Sequence, residues 1–97
     1  MAETYAVHEL KADPTPFREV LALNKRCEVR RDDRGFKVGD ILRLREFDRD
    51  AAAYSGMECW RVVTHIQTGY GLPDGLVVLS IMPTVDPTLT KRKEPTR

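Results

Sequence analysis

The sequence lacks several features that would narrow its class at once. Its 97 residues include only two cysteines, Cys27 and Cys59, which are far apart and form no C-x-x-C pair. Each is therefore predicted to be a reduced, small apolar side chain. A zinc site would need both cysteines to converge with His8 and His65 from four separate elements, and no spacing supports this. We predict no metal and no other cofactor.

Long apolar runs are also missing, since no stretch approaches the ~18 apolar residues that span a bilayer. The initial stretch MAETYAVHELK contains neither a basic leader nor an apolar segment, which argues against secretion. Hydrophobic residues make up 41% and charged residues 32% of the chain, a composition typical of one globular domain with a modest core. We expect a cytoplasmic protein with no membrane partner.

A net charge of +1 conceals a local excess of cations. Residues 25–45 contain eight cations and four acids, a net charge of +4. Residues 91–97 contain four cations and one acid, a net charge of +3. Such a basic face can attract a polyanion to one side of the protein. The alternative is an ordinary solvated surface of mixed charge.

One helix is predicted in the segment DPTPFREVLALN. Thr15 can cap it, and Pro16 suits the first helical position because no N–H is needed there. Its apolar stripe has helical spacing and consists of Phe17, Val20 and Leu21. Asn24 tolerates a left-handed conformation and can end the helix.

Five other segments have the character of strands: YAVHELKA, KRCEVRR, GDILRLREFD, MECWRVVTHIQTG and LVVLSIM. KRCEVRR alternates as a half-buried strand does, with Cys27 and Val29 on one face and Glu28 and Arg30 on the other. The predicted fold class is α+β, mostly β: a small barrel or strongly curved sheet with one helix between its first two strands. This domain covers residues 1–82, and residues 83–97 are expected to form a flexible basic tail.

A candidate site lies at the start of the second strand. Glu28 and Arg30 are two residues apart and share a face, while Lys25 precedes them at the junction with the helix. The carboxylate could accept hydrogen bonds from a base or sugar, and the two cations could hold phosphate or carbonyl oxygens. The alternative is a surface charge ladder, worth less than ~1 kcal/mol per pair.

The segment HELK…PFREVLALNKRCEVR resembles the ASCH domain signature of the PUA-like superfamily, and residues 6–82 are similar to an uncharacterised branch common in phages and bacteria. The resemblance implies a PUA-like β-barrel that binds RNA or a nucleotide in a cleft. It places Lys11, Lys25, Glu28 and Arg30 at the motif positions, and Gly39 with Asp40 at the turn before a barrel strand. Leu23 departs from the glycine usual in relatives, so Asn24 is expected to adopt the turn conformation.

The same resemblance supports an alternative function. Some small ASCH proteins are amidohydrolases that act on N4-acylated cytidine and use a Lys, a Thr and a Glu. Lys25 fits the lysine, but Glu28 stands where the threonine is expected. Glu28 could instead act as general base for a water while Lys25 polarises the carbonyl, with Glu46 or Glu58 as the other carboxylate. A third possibility is a phage protein that binds a host protein.

The remaining aromatic and histidine residues have less specific interpretations. Tyr70, in a Gly-rich loop, is the better candidate for stacking on a base, whereas Trp60 is expected in the core. His8 is either a cleft residue or a hydrogen-bonded structural histidine, and His65 is expected to be structural or exposed. The oligomeric state stays open.

Overall fold

The structure, a computed structural model, describes the backbone of residues 4–92 and the side chains of residues 4–89. Five strands form one curled, half-barrel sheet in the order β1-β3-β4-β5-β2. The strands are β1 (Val7–Ala12), β2 (Cys27–Arg31), β3 (Ile41–Asp48), β4 (Ala53–Gln67) and β5 (Leu76–Pro83). The helices are α1 (Pro14–Leu21) and α2 (Pro87–Arg92). The predicted mostly-β fold with a helix between the first two strands is confirmed.

β1 and β2 are the two edge strands of the sheet. β1 pairs in parallel with β3, and the other neighbouring pairs are antiparallel. A parallel pair needs a long connection, which α1 and β2 supply between β1 and β3. The core lies on the concave face, where α1 inserts Phe17 and Val20 against Leu42, Leu44 and Leu79. Within residues 4–92, no helix is long and apolar enough to cross a bilayer.

The ends of α1 differ from the prediction. The N-cap is Asp13 and the helix begins at Pro14, so neither Thr15 nor Pro16 has its predicted role. Asp13 makes no side-chain cap, because its carboxylate accepts a hydrogen bond from Arg49 Nε at 2.7 Å.

At the other end, Leu23 adopts the left-handed conformation, with φ of 66°, that was expected of Asn24. The N–H of Leu23 donates to Val20 O and the N–H of Asn24 donates to Glu19 O. These two bonds form a Schellman motif, which requires a left-handed residue one position after the C-cap, Ala22.

β2 buries its charged face. Glu28 is only 5% exposed, whereas Val29 is 53% exposed, the reverse of what is normal for a half-buried strand. The register explains the inversion, since Glu28 lies opposite Leu79 and Arg30 lies opposite Val77 in β5. Leu79 and Val77 belong to the core, so their partners on β2 point to the same concave face.

The chain turns after β2, with Gly35 at φ of 69° and Asp32 Oδ1 accepting hydrogen bonds from the N–H groups of Gly35 and Phe36. β4 begins at Ala53, earlier than the predicted strand segment MECWRVVTHIQTG, which starts at Met57. Helix α2 was not predicted and falls inside the segment expected to be a tail. Residues 93–97 of that segment lie outside the described residues.

Candidate functional site

Side chains bridge the gap between the two edge strands. Arg30 Nη2, from β2, donates to the carbonyl oxygen of Lys11 in β1 at 2.9 Å. Arg34 Nη1 donates to the carbonyl oxygen of Glu9 at 3.0 Å. Alternate carbonyls of an edge strand have no partner in the sheet. The two guanidinium groups donate hydrogen bonds to two carbonyls of this kind. Arg30 thereby links β2 to β1, and Arg34 links the turn after β2 to β1, although the two strands do not pair.

Glu28 lies at the inner end of this gap with its two carboxylate oxygens in different environments. Oε1 accepts hydrogen bonds from Arg30 Nε at 3.2 Å and from Arg30 Nη2 at 3.1 Å. Oε2 is buried and accepts no hydrogen bond from any residue that the structure describes. A buried polar atom without a partner costs about 1–3 kcal/mol. Buried carboxylates rarely leave an oxygen in this state, so Oε2 is an unsatisfied acceptor that a ligand donor can reach once the side chains around it move.

Lys25 forms an ion pair with Glu28 but does not donate a hydrogen bond to it. Its Nζ lies 3.6 Å from Glu28 Oε2, which is close enough for an ion pair but too long for a hydrogen bond. The ammonium group donates instead to the carbonyl oxygen of Cys27 at 2.5 Å. Glu28 therefore has a cation on each side and one oxygen free to accept a hydrogen bond.

These groups line a cavity of about 300 Å³ that opens to solvent between the end of β1, the start of α1 and β2. The volume is at the lower limit for pockets that hold small organic ligands, ~300 Å³. Four cations and two acids are among its walls, which are Lys11, Ala12, Asp13, Pro16, Lys25, Glu28, Val29, Arg30 and Arg49. Asp13 is exposed and accepts a hydrogen bond from Arg49 through Oδ1, whereas Glu28 has a buried oxygen that accepts none from the described residues.

Lys11 stands at the mouth of the cavity. Its Nζ lies 4.3 Å from the centre of the Phe47 ring, a cation–π contact that fixes the side chain without neutralising it. No carboxylate of the described residues lies within 4.0 Å of this ammonium group. Lys11 is exposed and available to a phosphate at the mouth of the cavity.

The structure thus brings four of the five predicted ligand-binding residues into one cavity: Lys11, Lys25, Glu28 and Arg30. Tyr70 does not join them. It lies in the loop between β4 and β5, is 94% exposed and is not among the residues lining the cavity. Arg30 donates hydrogen bonds from Nε to Glu28 and from Nη2 to the carbonyl oxygen of Lys11. These two donors orient Glu28 and β1 and are not available to a ligand.

The other carboxylates considered from the sequence do not line the cavity. Glu46 is buried but accepts a hydrogen bond from Arg18 Nε at 3.1 Å. Glu58 accepts a hydrogen bond from Arg43 Nε at 2.8 Å on the convex face. The prediction that Trp60 belongs to the core is wrong, because it lies half-buried on that convex face with Arg43 5.6 Å from its ring centre.

His8 is a structural residue. Its Nε2 lies 2.9 Å from Asp40 Oδ2, and Asp40 also accepts hydrogen bonds from the N–H groups of Ala6 and Lys37. Burial by itself would raise the pKa of Asp40, but these hydrogen bonds outweigh it and hold the pKa below its ordinary value. Gly39, at φ of 98°, forms the predicted turn before β3. His65 is exposed, with only a long contact of 3.4 Å to Gln67.

Both cysteines are free, as the sequence suggested. Cys27 is half-buried and Cys59 is buried, and burial raises the pKa of the Cys59 thiol. Among the described residues, no group of three or more His, Cys, Asp or Glu side chains is arranged to hold a metal ion.

Two functional candidates were missed from the sequence. Arg49 lies in the loop after β3 and reaches the cavity only because the sheet curls. Arg61 is 7% exposed and lies between Cys59 and Val63 on the buried face of β4. The sequence does indicate the burial of Arg61, because Arg61 alternates with Cys59 and Val63 along the strand and so shares their face.

The fold and cavity define a small half-barrel domain with a charged cleft between its edge strands. The chain belongs to a family described as a domain of unknown function (DUF3850), whose model matches residues 7–81. The match extends from the first residue of β1 into β5 and so includes every strand of the sheet. No curated protein matches the chain.

Proposed function

We propose that the protein binds RNA or a nucleotide, with one base inside the cavity beside Glu28. The observation that carries this proposal is the buried Oε2, which has no hydrogen-bond partner among the described residues. Cytosine, adenine and guanine each present an amino group that can donate to such an oxygen. Proteins that recognise single-stranded RNA bind unstacked bases through these same edges.

The cations around the cavity suit the backbone of the same ligand. Lys11 lacks a carboxylate partner within the described part of the chain, and Arg49 is held at the rim by a solvent-exposed Asp13. Exposed ion pairs of this kind contribute little stability, so a phosphate can displace Asp13 from Arg49 at small cost. The resemblance of Lys25, Glu28 and Arg30 to the ASCH motif of the PUA-like superfamily supports the same class of ligand.

Binding of short single-stranded RNA, followed by fluorescence anisotropy over a salt series, tests this proposal. Each phosphate contact contributes about −0.7 to the slope of log K against log salt. We expect Lys11→Gln to lower affinity and to make the slope shallower by about that amount. We expect Glu28→Gln to weaken binding at least tenfold, or about 1.4 kcal/mol, because an amide cannot accept the same charge-assisted hydrogen bond.

Two exposed residues outside the cavity provide matched controls. Glu19→Gln changes the same chemical group on the far part of α1, and Lys37→Gln changes a cation before β3. Both variants should bind RNA as the wild type does. A flat salt response, or equal affinity for Glu28→Gln and Glu19→Gln, would remove the proposed role of the cavity.

A second candidate function follows from the 3.6 Å approach of Lys25 Nζ to Glu28 Oε2. In an amidohydrolase acting on N4-acylated cytidine, Glu28 would take a proton from water while Lys25 polarises the acyl oxygen. The water oxygen would bond to the acyl carbon, the C–N4 bond would break and N4 would leave with the proton. Cytidine and a carboxylic acid are the products.

Chromatography of acylated cytidines incubated with the protein tests this second candidate. Loss of turnover in both Lys25→Ala and Glu28→Gln, with Glu19→Gln fully active, would support it. No turnover by the wild type, or turnover that survives both substitutions, would exclude this chemistry at the Lys25–Glu28 pair.

A further inference from the structure

Arg61 is a buried cation without a carboxylate partner. The residue is 7% exposed, yet no carboxylate of the described residues lies within 4.0 Å of its guanidinium group. Nη1 donates to the carbonyl oxygen of Trp60 at 2.8 Å and Nη2 donates to the carbonyl oxygen of Val20 at 3.2 Å. Nε makes no hydrogen bond to any residue that the structure describes.

The contact with Val20 explains part of this arrangement. Val20 belongs to the last turn of α1, and its carbonyl oxygen, which also accepts the N–H of Leu23, lies at the end of the helix where a cation complements the helix dipole. Two neutral carbonyls do not neutralise a guanidinium group, however, and an uncompensated buried charge is costly. A smaller polar side chain could cap α1 at lower cost, so the retained charge points to an anion that the site receives from outside.

Arg61 also lines a second cavity, of about 160 Å³. Its three polar lining residues are all cations, Lys25, Arg26 and Arg61, and its other lining residues are apolar: Leu23, Ile81, Met82 and Pro83. A water molecule takes about 30 Å³, so the cavity accommodates a group of several heavy atoms. Low-polarity walls strengthen the attraction between these cations and an anion.

From these observations we infer a second binding site, in which Arg61 and Arg26 bind the oxygens of a phosphate group. Planar guanidinium groups match the geometry of phosphate oxygens. The site goes beyond the proposed function, because the 300 Å³ cavity near Glu28 and this one are separate and share only Lys25. The phosphate can belong to a bound nucleotide or be free in solution, and the experiment below distinguishes the two sources.

Titration of the ¹⁵N-labelled full chain with inorganic phosphate, followed by NMR at constant ionic strength, tests the site. We expect saturable shifts of the Arg61 Nε–H signal and of the backbone signals of Leu23 and Met82. Chloride in place of phosphate should leave them unchanged. Absence of a saturable shift at these positions in the wild type would overturn the inference.

Arg26→Gln is the most informative variant, because Arg26 is exposed and its removal should leave the fold intact. We expect it to weaken phosphate binding at least fivefold, while Lys37→Gln, an exposed cation outside this cavity, leaves binding unchanged. Arg61→Gln should abolish saturable binding if the variant folds. Equal phosphate affinity in Arg26→Gln and the wild type would contradict the assignment.

Competition identifies the source of the phosphate and separates this inference from the proposed function. If a nucleoside 5′-monophosphate displaces inorganic phosphate, and Glu28→Gln weakens only the nucleotide, the phosphate belongs to the nucleotide. If the nucleotide leaves bound phosphate in place, free phosphate occupies the site. A failed proposed function would appear differently: nucleotide would bind no better than phosphate, while phosphate binding still depended on Arg26.

Discussion

The guanidinium group of Arg30 donates to the carbonyl oxygen of Lys11 at 2.9 Å and to Glu28 Oε1 at 3.1 Å through the same Nη2 atom. One side chain therefore joins the two edge strands of the half-barrel and orients the carboxylate in the cleft. This arrangement couples the stability of the domain to the geometry of the candidate site.

Arg30→Gln should destabilise the protein, because it removes the donors to a buried carboxylate oxygen and the bridge to β1. We expect the free energy of unfolding to fall by about 1–3 kcal/mol, measured by urea denaturation. Arg31→Gln is the matched control, since Arg31 is the next residue and lies on the exposed face of β2. Its effect should stay within about 0.5 kcal/mol, and equal effects of the two substitutions would contradict the bridging role.

Asp40→Asn should alter the dependence of stability on pH. Because folding lowers the pKa of Asp40, its carboxylate stabilises the folded state above its unfolded pKa of about 3.9. That contribution is lost as the pH falls through the lower pKa of the folded state. The variant should be less stable than the wild type at pH 7, and the difference should shrink on acidification below about pH 4.

Urea denaturation of both proteins between pH 7 and pH 2 measures this effect. Asp33→Asn is a suitable control, because Asp33 is exposed and its carboxylate forms an exposed ion pair with Arg34, at 3.7 Å. Its stability curve should follow that of the wild type. Parallel curves for Asp40→Asn and the wild type across the acid range would show that the pair with His8 contributes nothing to acid sensitivity.

Leu23→Gly should behave unlike an ordinary leucine-to-glycine substitution. A left-handed conformation costs a non-glycine residue about 1–2 kcal/mol, whereas the added flexibility of glycine in the unfolded chain costs about 0.5–1 kcal/mol. We therefore expect a change between zero and about 1.5 kcal/mol in favour of the folded state, measured by thermal or urea unfolding.

Leu21→Gly is the control, because Leu21 is similarly exposed but has a helical conformation at the end of α1. It should destabilise the protein by about 1 kcal/mol. If both glycine variants lose stability equally, Leu23 is not strained, and the Schellman motif of α1 tolerates a leucine without cost.

Much of the sheet could be predicted because alternation and turn chemistry are local. β3 shows this well, since Leu42 and Leu44 are buried while Arg43 and Arg45 are on the convex face. β2 shows what local alternation cannot predict. Alternation separates the face of Glu28 from that of Val29, but only pairing with β5 determines which face is buried. The burial of a charged face is therefore a tertiary property.

In the candidate site, too, some residues could be grouped from the sequence, whereas others come together only in the folded structure. Lys25, Glu28 and Arg30 could be grouped from the sequence because they are close along one strand and its preceding turn. Arg49 could not, because its approach to the cavity depends on the curl that brings β1 beside β2. Tyr70 was chosen for its chemistry and its loop, but nothing local determines which end of the half-barrel that loop faces.

In the proposed complex, Glu28 Oε2 accepts a hydrogen bond from a bound nucleotide base. NMR titration of the ¹⁵N-labelled protein with a short single-stranded RNA tests it most directly, with Glu28→Gln and Glu19→Gln measured in parallel. We expect shifts concentrated at Lys11, Lys25, Glu28 and Arg30 that are retained in Glu19→Gln and lost in Glu28→Gln. Shifts centred elsewhere on the domain, or an unchanged pattern in Glu28→Gln, would contradict it.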